Sequence, residues 1–171
     1  MASYDLSFRL KHDCPFNDLS KRYPEAVISH WCNNETDILE LSSDDPQVYE
    51  RLQNDFIAFV ESLGVHIERR IATESNQQLV ITSCVCTHYK STTRVIQGSN
   101  CMDLQPIVYR DGWEWYRAIA FSESDVTDLF RKLDEFSEVE VLSRKANPDA
   151  SVRDNVVISA TSLFGELTGK K

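Results

Sequence analysis

No apolar run in this sequence is long enough to span a bilayer. The N-terminus, MASYDLSFRLKHD, lacks the basic-then-apolar layout of a secretion signal. Positive charge is also scarce: 18 Lys and Arg stand against 27 Asp and Glu, for a formal net charge of −9. A surface that acidic repels phosphate, so direct nucleic-acid binding by this chain is not expected. The sequence contains no Walker loop, dinucleotide-binding glycine pattern, serine nucleophile elbow or His-Glu-x-x-His zinc helix. Acidic pairs such as Asp44-Asp45 suit a helix cap better than acid–base catalysis. These absences predict a cytoplasmic protein, away from membranes, that is not an enzyme.

Hydrophobic residues make up 42% and charged residues 26% of 171, which predicts a globular chain of one domain or two small ones packed together. Residues 4–11 alternate apolar and polar, the pattern of a half-buried strand. Pro15 suits the first turn of a short helix over 15–23. Strands are expected at 26–32 and 37–42, then a helix over 46–63 closed by Gly64, then a strand over 65–73. The order then repeats: strand 78–86, helix 88–97, a hairpin of 104–110 and 113–121 around Asp111-Gly112, helix 123–136 and strand 138–144. Each run matches the split βαβ plan. The expected fold is α+β, two tandem βαββαβ halves of ferredoxin-like or ACT-like type packed as a pseudo-repeat. The halves are 1–75 and 76–146, and 147–171 is a linker and connector.

Histidine is rare, and its placement is informative. Three of the four histidines sit two residues from a cysteine: His12 with Cys14, His30 with Cys32, and His88 with Cys86, where Cys84 adds a further step. A given histidine would have such a neighbour by chance only roughly 6% of the time, so the pattern points to metal binding or thiol chemistry. Spacing of two places residues on one face of a strand, so Cys84, Cys86 and His88 can share a centre, as can His30 and Cys32. Thiolate with imidazole favours zinc and also suits iron, copper or cobalt. A helix start just after Cys14 would favour its thiolate. The expected ligand set is His12, Cys14, His30, Cys32, Cys84, Cys86 and His88. A thiol redox switch and plain core packing remain open beside it. His66, with no cysteine near it, and Cys101, in an expected loop, stand outside the set.

Several stretches resemble a known family. His12-Asp13-Cys14-Pro15-Phe16, Leu19-Ser20, Pro24 and Trp31-Cys32-Asn33 resemble the N-terminal region of archaeal transcription regulators of the bacterio-opsin activator type. Pro106-Ile107-Val108-Tyr109-Arg110-Asp111-Gly112-Trp113-Glu114 resembles the second half of that region. Phe164-Gly165-Glu166-Leu167-Thr168-Gly169-Lys170 resembles the join to a C-terminal helix-turn-helix. The resemblance implies a sensing domain responding to a metal ion or a small-molecule signal. It also implies DNA binding only through a C-terminal domain outside this chain, which ends at Lys171. A homodimer is expected. The alternative is a small-molecule-binding regulatory module of ACT-like type with structural cysteines.

Overall fold

The computed structural model describes residues 2–33, 35–82, 85 and 89–147. The described elements are β1 (Ser3–Lys11), α1 (Pro15–Arg22), β2 (Ala26–Cys32), β3 (Thr36–Ser43), α2 (Pro46–Ser62), β4 (His66–Ala72), β5 (Asn76–Thr82), α3 (Thr92–Gln97), β6 (Cys101–Arg110), β7 (Trp113–Ala120), α4 (Glu123–Asp134) and β8 (Glu138–Asn147). Local chemistry explains most of the boundaries. Pro15 and Pro46 open α1 and α2 at positions where no amide partner is needed. Asp45, Ser91 and Ser122 cap α2, α3 and α4 by accepting backbone N–H groups of their first turns. Gly64 and Gly112 take positive φ, +68° and +74°, at the end of α2 and in the β6–β7 turn.

The fold is α+β, with one eight-stranded antiparallel sheet in the order β4-β5-β3-β2-β6-β7-β1-β8. The elements run βαββαβ and then βαββαβ again. In the sheet, however, the runs interleave. β5 lies between β4 and β3, and β1 lies between β7 and β8. A tight connection gives the physical reason. Residues 73–75 turn β4 back on β5, with the Thr73 amide donating to the Asn76 carbonyl at 2.7 Å. A connection that short joins only antiparallel neighbours, so β5 takes the place beside β4. β1 then fills the place beside β8. The join at the centre is narrow: Ile28–His30 of β2 pair with Ile107–Tyr109 of β6.

The helices share one core with the sheet. Leu6, Phe8 and Leu10 of β1, Leu39 and Leu41 of β3, Leu52 and Phe56 of α2, Ile96 of α3, and Leu129 and Leu133 of α4 are all fully buried in it. Phe8 stacks on Tyr116, ring centroids 5.5 Å apart, and meets Phe130 edge-on. Trp113 and Trp115 lie in the opposite phase of β7, where Arg9 packs over both rings and Lys11 over Trp113. Several expected boundaries shift: β5 starts at Asn76, α3 at Thr92 and β6 at Cys101, and β8 runs on to Asn147. Cys101 is not in a loop. It is the buried first residue of β6, its thiol 3.4 Å from the Ser99 carbonyl. Among the described residues no helix is long and apolar enough to cross a membrane.

Candidate metal centres

The alternation of β2 turns Ala26, Ile28, His30 and Cys32 to the helix side of the sheet. On β3 the same phase carries Asp37, Leu39 and Leu41, while Ile38 is exposed. Cys32 pairs directly with Asp37 across the two strands, and His30 pairs with Leu39. Three donors therefore meet on one face: a His30 ring nitrogen, the Cys32 sulfur and an Asp37 carboxylate oxygen, all within 4.8 Å of one another. His30 and Asp37 are completely buried. Nε2 of His30 lies 3.1 Å from Oδ1 of Asp37. That contact is off the line a hydrogen bond needs, so neither ring nitrogen of His30 nor Oδ1 of Asp37 has an aligned partner. Oδ2 of Asp37 accepts the amide of Val85 at 2.7 Å. The side-chain amide of Gln105 pairs with the backbone of Cys32, accepting its N–H at 2.8 Å and donating to its carbonyl. This holds the cysteine where β6 loses register between Leu104 and Val108. Burial works against charge on His30, but Asp37 and Cys32 outweigh it and raise the imidazole to about 9. Burial likewise opposes ionisation of Asp37, yet His30 and the Val85 amide bring its carboxyl below the usual range.

A second group forms where β1 leads into α1. His12 follows β1, and Cys14 is the residue before the first turn of α1. Glu114 enters from β7, opposite Leu10. Their donor atoms also lie within 4.8 Å of one another. Nε2 of His12 donates to the Lys90 carbonyl at 3.2 Å. A carbonyl can only accept, so Nε2 carries a proton and Nδ1 is the nitrogen that faces Glu114. Nδ1 is 2.7 Å from Oε1 of Glu114, again without hydrogen-bond alignment. Glu114 is fully buried, Oε1 accepting from Asn17 Nδ2 at 2.9 Å and Oε2 from the Tyr116 hydroxyl at 2.8 Å. For His12, burial is overridden by Glu114 and the Lys90 carbonyl, and its pKa rises.

The expectation of an activated Cys14 is corrected here. The amides of Phe16 and Asn17 do favour its thiolate, but burial and the Glu114 carboxylate outweigh them and push the thiol far up. Without a cation beside it, Cys14 is a protonated thiol.

The seven expected ligands thus divide. His12 and Cys14 meet in one group, His30 and Cys32 in the other, and Cys84, Cys86 and His88 lie outside the described residues. His66 is exposed. Glu114 and Asp37 were missed by reasoning on cysteine–histidine spacing. Both carried a signal, because each is an acid in phase with inward-facing neighbours, Glu114 with Tyr116 and Asp37 with Leu39 and Leu41.

A family model described as "HVO_A0563, N-terminal" matches residues 5–157. The chain belongs to that family. Both groups lie inside the region matched to the HVO_A0563 N-terminal family. No curated protein matches the chain.

Proposed function

We propose that this member of the HVO_A0563 N-terminal family is a metal-responsive sensing domain of a transcription regulator rather than an enzyme. In this reading it holds zinc, or a related transition metal, at His30, Cys32 and Asp37. The observation that carries the reading is three buried donors of metal-binding type, a ring nitrogen of His30, the Cys32 sulfur and a carboxylate oxygen of Asp37, all within 4.8 Å of one another. Zinc bonds of about 2.0–2.3 Å suit donors gathered this closely. A divalent cation also balances one thiolate and one carboxylate, leaving a neutral centre in a low-dielectric core. Asp37 is held in place by the Val85 amide, which its second oxygen accepts.

The regulator part of the proposal rests on the resemblance to bacterio-opsin activator-type proteins and on the family's description as an N-terminal region. It takes the two βαββαβ runs as a pseudo-repeat with exchanged first strands, acting as a cytoplasmic homodimer. DNA contact then belongs to a C-terminal domain. Metal analysis of protein purified without added metal tests the centre. About one equivalent or more that falls on Asp37→Asn substitution is expected, and less than about a tenth of an equivalent, with no uptake on zinc titration, refutes it.

One observation favours the ACT-like alternative. A surface depression of about 310 Å³ is bordered by Glu25, Ser42, Ser43, Asp44, Asn76 and Arg110, the low end of the size that holds a small organic ligand. Thermal stabilisation by a metabolite and not by zinc would select that reading.

A further inference from the structure

We propose that His12, Cys14 and Glu114 form a second metal centre of a different kind. It has three protein donors on a divalent cation and one position open to a neighbouring pocket, where it takes a single water-sized ligand. This rests on the same metal-binding reading as the His30 group but on separate residues.

The donors are oriented before any cation arrives. The Lys90 carbonyl fixes the proton of His12 on Nε2, so Nδ1 is the atom available for coordination. Asn17 and Tyr116 hold one oxygen each of Glu114. Both are neutral, and among the described residues the one ion-pair partner of this buried carboxylate is His12. That contact lacks hydrogen-bond alignment although the atoms are 2.7 Å apart. A cation bound by Nδ1 of His12, the Cys14 sulfur and Glu114, donors all within 4.8 Å of one another, replaces the proton this pair would otherwise share. With Cys14 as thiolate the centre is again neutral.

The difference from the His30 group is space. His12, Cys14 and Glu114 all border a pocket that also meets Val85, Thr92 and Tyr116, and none of His30, Cys32 and Asp37 borders it. Its free volume is about 20 Å³, which admits about one water-sized occupant and no organic ligand. Thr92 is 2% exposed and borders the pocket beside Tyr116. Three protein ligands with an accessible fourth position mark a zinc site that exchanges ligands, whereas an enclosed set marks a structural one. The His12 group therefore combines three donors with a position open to a pocket.

Cobalt substitution and metal counting test this on the full chain. Wild-type protein is expected to bind about two equivalents of Co²⁺, with sulfur-to-metal charge-transfer absorption from both centres. Cys14→Ser and Glu114→Gln each raise the dissociation constant of one equivalent at least about tenfold, leaving the other in place. Asp37→Asn does the converse. Cyanide shifts the visible bands of the wild type and of D37N but not those of C14S, and imidazole, too large for the pocket, shifts none. One equivalent lost in D37N and untouched by C14S and E114Q overturns the second centre while the His30 centre stands. No metal in any of the proteins overturns both. Variants with wild-type circular dichroism keep the comparison on ligation, and the wild-type cyanide titration decides the open position even where a variant does not fold. Bands that ignore cyanide refute it.

Discussion

Asp37→Asn separates a metal centre from a plain buried ion pair. The substitution preserves the shape of the side chain and an oxygen for the Val85 amide, and removes the charge facing His30. If zinc occupies this group, saturating metal at about a thousand times the dissociation constant stabilises the wild type by about 4 kcal/mol. In a chain of this size each kcal/mol moves the melting temperature by about 2–4 °C, so the zinc-minus-chelator gap shrinks by about 8–16 °C in the variant. The assay is thermal unfolding by circular dichroism, each protein in buffered zinc and in EDTA. The pH dependence sharpens it. In EDTA His30 is raised to about 9 by Asp37 and Cys32 against the pull of burial, from about 6.5 in the unfolded chain. The stability this contributes is fully present below pH ~6.5 and is lost as pH rises through about 9. With zinc the metal displaces the proton, and the metal-dependent increment grows over the same range. Equal zinc-minus-chelator gaps in wild type and D37N would refute the centre.

Other sites report on the fold. Ser20→Ala removes the hydroxyl that accepts the buried Gly112 amide at 3.0 Å, at an expected cost of about 1–3 kcal/mol in urea unfolding. A change below a few tenths would mean that the amide finds another partner. Asp45→Ala deletes the oxygen accepting from Gln47 and Val48 at the start of α2, costing about 1 kcal/mol, with metal content unchanged. A protease site placed in residues 73–75 is expected to leave the two cleaved fragments co-eluting in size-exclusion chromatography, since β1 is enclosed by β7 and β8 and β5 by β3 and β4. Separation without denaturant would contradict the interleaved sheet.

The element order was legible because this chain marks its boundaries locally. Pro15, Pro46, Asp45, Ser122 and Gly64 stand at helix ends, and strands such as β2 alternate cleanly. Sheet order was not legible from periodicity, because it is set by which strands meet at long range. The one local clue was the shortness of the connection after Ala72, which obliges β5 to lie beside β4. The site was half legible. Spacing of two on β2 brought His30 and Cys32 to one face, but pairing of Cys32 with Asp37 depends on hairpin register. Glu114 reaches His12 only because β1 crosses to β7. Cysteine–histidine spacing sees neither carboxylate, since each arrives from another strand.

The two groups share no ligand, yet they are not mechanically independent. Phe16 follows Cys14 by two residues, meets the His30 ring edge-on at 5.5 Å, stacks on Phe56 at 5.7 Å and borders the pocket of the His12 group. Val85 donates its amide to Asp37 and borders the same pocket. Both residues stand in a close-packed core, which responds to displacement by shifting between packings rather than deforming smoothly. On the proposed reading, a cation that draws His30, Cys32 and Asp37 together would shift Phe16 and Val85, and with them the walls of the pocket beside His12. Linkage makes that effect reciprocal. On the proposed reading, a ligand change at the His12 group would be felt first at Phe16 and Val85.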